Sequence, residues 1–181
     1  RMDAIIVGRR TAVADDPLLT ARPPGPRAAV RIVLDTNALL SLDSQLVRTG
    51  HDVPVLIAAS ESADSRRCRR LRNAGCEVVQ LAGDNQAARL SGLLDELNRR
   101  QMTNVLIEGG SQVLGTAFDA RLIDEVHVFI APKLLGGSQA LTPVGGLGLA
   151  MMSEAHGLDE VSVEQLGGDI YVSGRLAAAT H

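Results

Sequence analysis

The chain has 181 residues with 45% hydrophobic and 22% charged content, enough apolar side chain for one substantial core and too ordinary in charge for a disordered, solvating polymer. Lys plus Arg number 18 against 21 Asp plus Glu, and the net charge of −3 gives no global footprint for nucleic acid or an anionic membrane. With no Trp, one Tyr and two Phe, an aromatic stacking platform for single-stranded nucleic acid is excluded as well.

An apolar run ending in Gly8 predicts a buried strand over residues 3–8. It starts almost at the first residue, so the chain reads as a piece of something longer. A polar, turn-rich stretch through Pro17 and an extended Pro/Gly loop at 22–26 are expected next. Strands are predicted at 30–35 and 53–58, with Pro54 confined to a strand start or edge. Residues 64–73 predict a basic helix stopped by Gly75, and 76–81 the strand after it. From 85 to 100, Ala87, Leu90, Leu93, Leu94 and Leu97 recur every three or four residues, which predicts a helix with one buried stripe. A strand at 104–108, a Gly109-Gly110 turn and a short helix over 111–118 complete a strand–helix–strand alternation. Such alternation builds a parallel sheet covered on both faces. The tail differs. After a strand at 125–132, segments 160–166 and 169–176 alternate in polarity around Gly167-Gly168 and predict an antiparallel hairpin. The expected fold is a single α/β domain: a mixed, mostly parallel sheet flanked by helices, with a C-terminal antiparallel hairpin.

Cys68 and Cys76 read as two free, partly buried thiols in a reducing cytoplasm. The four histidines (His51, His127, His156 and His181) have neither zinc spacing nor a partner at a nucleophile motif, so no metal site and no catalytic triad are expected. No apolar run reaches bilayer length and no signal pattern opens the chain, so the expectation is a soluble, cytoplasmic protein.

Four segments could carry chemistry. Glu108-Gly109-Gly110-Ser111 lies between a strand and a helix, where glycines let backbone N–H groups approach a phosphate and the helix dipole favours an anion. A tight turn that needs small residues explains the glycines equally well, but a carboxylate at the end of a core strand is costly to bury without a contact. Asp15 and Asp16 could bind hydroxyls or cap their own turn, and Arg22 is a natural phosphate fork. The run Arg66-Arg67-Cys68-Arg69-Arg70 with Arg72 could grip a 2′-phosphate, although a solvated helix face is the better explanation. Lys133, after Pro132 and before Gly136-Gly137, reads as part of a rigid exit loop.

In this order, residues 11–22 (with Ala-Asp-Asp-Pro at 14–17), 31–35 (Arg-Ile-Val-Leu-Asp), 106–111 and 130–137 (with Ala-Pro-Lys-Leu-Leu-Gly-Gly at 131–137) resemble a known pattern. They are similar to the C-terminal reductase domain of the bifunctional riboflavin-biosynthesis deaminase–reductase, a dihydrofolate reductase-like family, and the similarity covers nearly the whole chain. The resemblance implies NADPH-dependent reduction of the ribosyl group of 5-amino-6-(5-phosphoribosylamino)uracil to its ribityl form. It implies cofactor contacts at Thr11, Asp15, Thr36 and the run Gly110, Ser111, Gln112, Val113, Leu114, Gly115 and Thr116. It implies substrate contacts at Leu18, Arg22 and Glu108, with Arg22 on the 5′-phosphate. Arg9-Arg10 stand where the family usually has a small residue and Asn, and could crowd that turn. By the same comparison, the chain lacks the family's opening strand and the whole deaminase half.

The residues and the resemblance agree on hydride transfer, a reaction that needs two positioned ligands and no nucleophile or metal. Two other readings stand beside it: a dihydrofolate reductase-like oxidoreductase with another substrate, and a non-catalytic nucleotide-binding or dimerisation domain. A homodimer is expected in either case, because a sheet without its first strand and a hairpin with alternate apolar positions both need covering.

Overall fold

The computed structural model describes residues 2–23, 25, 27–137, 140 and 142–177. Pro24 and Pro26 of the expected 22–26 loop, and His181, lie outside the described residues.

Five short strands dominated by Val, Ile, Leu and Ala make the central sheet: β1 (Ala4–Gly8), β2 (Val30–Leu34), β3 (Val55–Ser60), β4 (Glu77–Leu81) and β5 (Val105–Gly109). They pair in parallel in the order β4-β3-β2-β1-β5. Neighbouring residues of a strand point to opposite faces, and both faces are dry. Val7, Val33 and Ile57 pack with Leu46, Cys68 and Leu71 on one side. Ile6, Ile32 and Leu56 pack with Leu93 and Leu97 on the other.

The helices expected at 64–73 and 85–100 stand where their signals put them. In α3 (Ser65–Asn73) the Asp64 carboxylate accepts from the Arg66 and Arg67 amides at 2.9 Å, and Cys68 and Leu71 face the sheet. In α4 (Gln86–Arg99) Asn85 caps the Ala88 amide at 2.9 Å and Leu90, Leu93 and Leu97 form the buried stripe. Gly75, at φ +91°, ends the α3 unit with its Cα against the His51 ring, so a side chain there would collide as well as strain. Cys68 and Cys76 are both free and buried.

Several local expectations need correction. Residues 9–15, expected to be turn-rich, form helix α1 (Arg9–Asp15). Its Gly8 cap offers no side chain and only Ala12 is buried, so neither a capping residue nor a periodic stripe announced it. The four-residue α2 (Gln45–Arg48) and the 3-10 turn Met152–Glu154 were not expected at all. The strand placed at 53–58 starts after Pro54, whose carbonyl accepts from the Arg31 amide, and runs on to Ser60. The strand placed at 125–132 stops at Ile130.

Helix α5 (Ser111–Asp119) leads into β6 (Glu125–Ile130), which does not join the five-stranded sheet. It pairs antiparallel with the hairpin strand β8 (Asp169–Leu176), which pairs with β7 (Leu158–Leu166), giving a second sheet of order β6-β8-β7. The strict alternation expected from residue 160 is interrupted by a register shift between Asp159 and Ser162, where Glu160 has φ +52°. Val128, Ile130, Val163, Val172 and Ile170 share one face of this sheet by register. Four of them remain more than 40% exposed.

One buried charge fixes the segment after α1. Arg31 on β2 is fully buried and donates to the Thr49 hydroxyl at 2.8 Å, the Thr49 carbonyl at 3.0 Å, the Leu18 carbonyl at 3.2 Å and the Val53 carbonyl. Burial lowers its pKa from the ordinary arginine value. From the other side, the Gln45 amide donates to the Asp16 carboxylate at 2.8 Å. The stretch that carries Leu18 is therefore anchored to both β2 and α2.

Candidate functional site

The carboxyl ends of parallel strands are where open α/β sheets bind ligands, and here they surround a cavity of about 500 Å³. The end of β1 and helix α1 contribute Gly8, Arg9, Arg10, Thr11, Ala14 and Asp15. The end of β2 contributes Leu34, Asp35, Thr36 and Asn37. Gln86 and Arg89 come from α4, and Gly110, Ser111, Gln112 and Val113 from the start of α5.

Close approach of β1, α1 and α5 shapes this cavity. Gly110 has φ +92°, and a Cβ on it would stand 2.9 Å from the Thr11 Oγ1. A Cβ on Gly8 would stand 2.9 Å from the Val113 side chain. Glycine at 110 thus lets Thr11 pack directly against the start of α5, which brings its hydroxyl beside the helix N-terminus on one wall of the cavity. Farther along α5, a Cβ on Gly115 would overlap the backbone of Gly145 and Gly146, and the Gly145 amide donates to the Ser111 carbonyl at 2.8 Å. The loop after β6 therefore lies directly on the helix.

Of the residues singled out from the sequence, Thr11, Asp15, Thr36, Gly110, Ser111, Gln112 and Val113 line the cavity together. Leu114, Gly115 and Thr116 continue α5 away from its wall, and the Thr116 hydroxyl donates to the Gln112 carbonyl at 2.8 Å. Leu18, Arg22 and Glu108 do not line it. Leu18 is half-buried and Arg22 is exposed. Glu108 is exposed too, because β1 and β5 slip register: Ile6 faces Ile107 and Val7 faces Gly109, so Glu108 bulges out of the ladder. The burial cost expected for its carboxylate therefore does not arise. Arg67 and Arg70 of the basic run border a separate hollow of about 360 Å³ beside residues 38–43.

Asp35, present in the 31–35 segment but assigned no role from the sequence, also lines the cavity. Its side chain is 1% exposed. Oδ2 accepts from the Leu39 and Leu40 amides at 2.5 and 2.7 Å, while Oδ1 is buried without a hydrogen-bond partner. Arg9 Nε lies 3.6 Å from Oδ1. Burial pushes the Asp35 pKa above the usual carboxylate range, and the Leu40 and Leu39 amides and Arg9 pull it back. Arg9, Arg10 and Arg89 also line the cavity, a cationic content that no motif predicted. Among the described residues no cluster of three His, Cys, Asp or Glu is placed to hold a metal ion, and no helix is long and apolar enough to cross a membrane.

Comparison with known proteins converges on one family. The chain is 38% identical over 167 residues to the riboflavin biosynthesis protein RibD of Actinobacillus pleuropneumoniae, covering 92% of this chain and 44% of that protein. It is 36% identical over 174 residues to the 2,5-diamino-6-ribosylamino-4(3H)-pyrimidinone 5′-phosphate reductase of Methanothermobacter thermautotrophicus, covering 94% of this chain and 78% of that one. The chain thus spans less than half of the first relative and most of the second. Among solved structures, Acinetobacter baumannii RibD superposes with a TM-score of 0.77 at 22% identity, covering 97% of this chain and 47% of that one. The Thermotoga maritima deaminase/5-amino-6-(5-phosphoribosylamino)uracil reductase gives 0.74 at 26% identity, covering 97% and 46%. A family model, the RibD C-terminal domain, matches residues 1–172. On the family match and the sheet architecture together, this chain belongs to the RibD C-terminal domain family, with a dihydrofolate reductase-like fold.

Proposed function

We propose that the chain is an NADPH-dependent reductase that converts the ribosyl group of 5-amino-6-(5-phosphoribosylamino)uracil to its ribityl form in riboflavin biosynthesis. The observation that carries this reading is the cavity at the carboxyl ends of the parallel strands, where Thr11, Thr36 and the start of α5 converge. Its donor set suits a dinucleotide: the Thr11 hydroxyl and the start of α5 line the cavity together, with the guanidinium groups of Arg9, Arg10 and Arg89 on its other walls. Thr11, Asp15, Thr36 and residues 110–113 would hold the cofactor. When bound, it supplies the hydride that reduces C1 of the sugar.

The chain's own residues bind and orient. Arg31, through the Leu18 carbonyl, and Gln45, through Asp16, fix the segment that presents Leu18 toward the substrate. Arg22 pairs with the substrate's 5′-phosphate and Glu108 with its polar groups. No side chain need act as nucleophile, and water can supply the proton. The two free thiols suit a reducing compartment such as the cytoplasm. The exposed apolar face of the β6-β8-β7 sheet suits a homodimer that covers it; light scattering on the eluting chain should give twice 19.1 kDa. Titration of NADPH, followed by its own fluorescence, tests the reading. Saturable binding that Thr11→Val weakens supports it, and no binding at millimolar NADPH overturns it.

A further inference from the structure

The pairing of Asp35 with Arg9 has no task in the reading above. One Asp35 oxygen is committed to the Leu39 and Leu40 amides; the other is buried and bare, with Arg9 Nε at 3.6 Å. A bare buried carboxylate oxygen is costly and persists only where a neighbour compensates it. A guanidinium does so without exhausting itself. It is a planar fork with five N–H groups, so facing Asp35 with its Nε edge leaves the terminal nitrogens for another acceptor. The Arg9 side chain is 39% exposed and lines the cavity.

The cavity consequently has two walls that favour anions. One is the amide wall at Gly110 and the start of α5. The other is a guanidinium wall of Arg9, Arg10 and Arg89, set against the carboxylates of Asp15 and Asp35. Arg89 already gives one N–H to the Gly83 carbonyl at 2.8 Å, which tethers it at the rim. A dinucleotide whose only phosphates are its pyrophosphate brings one anionic group to these two walls. A dinucleotide with a further phosphomonoester on its adenosine ribose brings two.

We propose that Asp35 is a positioning residue that holds the Arg9 fork toward the adenosine phosphomonoester of the nicotinamide cofactor, and that the pair sets a preference for NADPH over NADH. This rests on the reductase reading above. Asp35 acts through Arg9 and does not itself touch the cofactor. The neutral Asn is the informative replacement, because its carbonyl can still accept from the Leu39 and Leu40 amides while the charge opposite Arg9 is gone.

Calorimetric titration of NADPH and of NADH into the wild-type chain, Asp35→Asn, Arg9→Gln and the double variant tests this. Arg9→Gln should weaken NADPH about tenfold or more and NADH less than about twofold, the scale of one charge-assisted contact. Asp35→Asn should weaken NADPH about threefold to tenfold, and the double variant should bind no worse than Arg9→Gln alone, since the two residues act as a unit. Wild-type NADPH affinity in Asp35→Asn, effects that multiply, or equal loss for both dinucleotides would overturn the proposal. Should Asp35→Asn fail to fold, Arg9→Lys carries the test: it keeps the charge and loses the fork, and unchanged NADPH preference there is equally fatal. A wild-type chain that binds neither dinucleotide overturns the reductase reading as well. One that binds NADPH, with a loss in Arg9→Gln that does not discriminate, overturns only this inference.

Discussion

Arg31→Met keeps a long, flexible side chain in the core and removes every donor it carries. In the wild type, that guanidinium bonds the Thr49 hydroxyl at 2.8 Å and the carbonyls of Thr49 at 3.0 Å, Leu18 at 3.2 Å and Val53. Four hydrogen bonds at a net of about 1 kcal/mol each put the loss near 4 kcal/mol. Relief of the guanidinium's own desolvation, which already lowers its pKa, returns roughly 1–2 kcal/mol. The expected destabilisation is therefore about 2–3 kcal/mol, a large share of the roughly 5–15 kcal/mol typical of folded proteins. Urea unfolding followed by far-ultraviolet circular dichroism measures it; with no Trp and one Tyr, intrinsic fluorescence is a poor probe. Because Leu18 is one of the acceptors, residues 16–22 should also become the first site of proteolytic nicking. A variant as stable as the wild type, or one whose 16–22 segment resists protease equally, would refute the view that Arg31 anchors that segment.

Glu77→Gln tests the electrostatics on β4. The Arg100 guanidinium grips both Glu77 oxygens, at 2.9 and 2.6 Å, and holds its pKa below the usual glutamate value of 4.5. A depressed folded pKa means stability that is present above the unfolded value and lost as pH falls through the folded one. The pair is half-exposed, so Glu77→Gln should cost no more than about 1 kcal/mol near neutral pH and flatten the acid limb of the stability curve. An unchanged acid limb would remove Glu77 from that account. Arg22→Lys should raise KM for the phosphorylated substrate and leave NADPH affinity alone, because an ammonium cannot reproduce a bidentate contact; equal weakening of both ligands would place Arg22 elsewhere. Glu108→Gln should lower turnover with little loss of cofactor affinity, and unchanged kinetics would reduce Glu108 to a bulge residue.

What could be read from the sequence followed burial. The α4 stripe of Leu90, Leu93 and Leu97 and the apolar runs of β1, β2 and β3 carry their periods in the residues themselves, so those elements were legible. Helix α1 was not, because it buries Ala12 alone and takes its cap from a glycine. The membership of β6 in a second sheet depends on pairing with a strand more than 40 residues later, which no local pattern encodes. At the site, glycines before a helix marked the start of α5, and the resemblance supplied Thr36 and the rest of the 110–116 run. No local pattern gives Asp35 a role at the site, because an aspartate after a strand ordinarily caps a turn, as its Oδ2 does here. Only the fold shows that Oδ1 is left facing Arg9. The exposure of Glu108 likewise depends on a register slip against β1, and register is a property of two strands.

The reaction proposed for this chain is hydride transfer to a ribosylamino-pyrimidine phosphate. Incubating the chain with NADPH and 5-amino-6-(5-phosphoribosylamino)uracil, and following both NADPH oxidation and product mass, tests it most directly. One NADPH should be consumed per substrate, with a product heavier by one hydride and one proton and deuterium appearing at the sugar C1 when the cofactor's transferable hydrogen is labelled. NADPH that binds and is never oxidised in the presence of this substrate would contradict it.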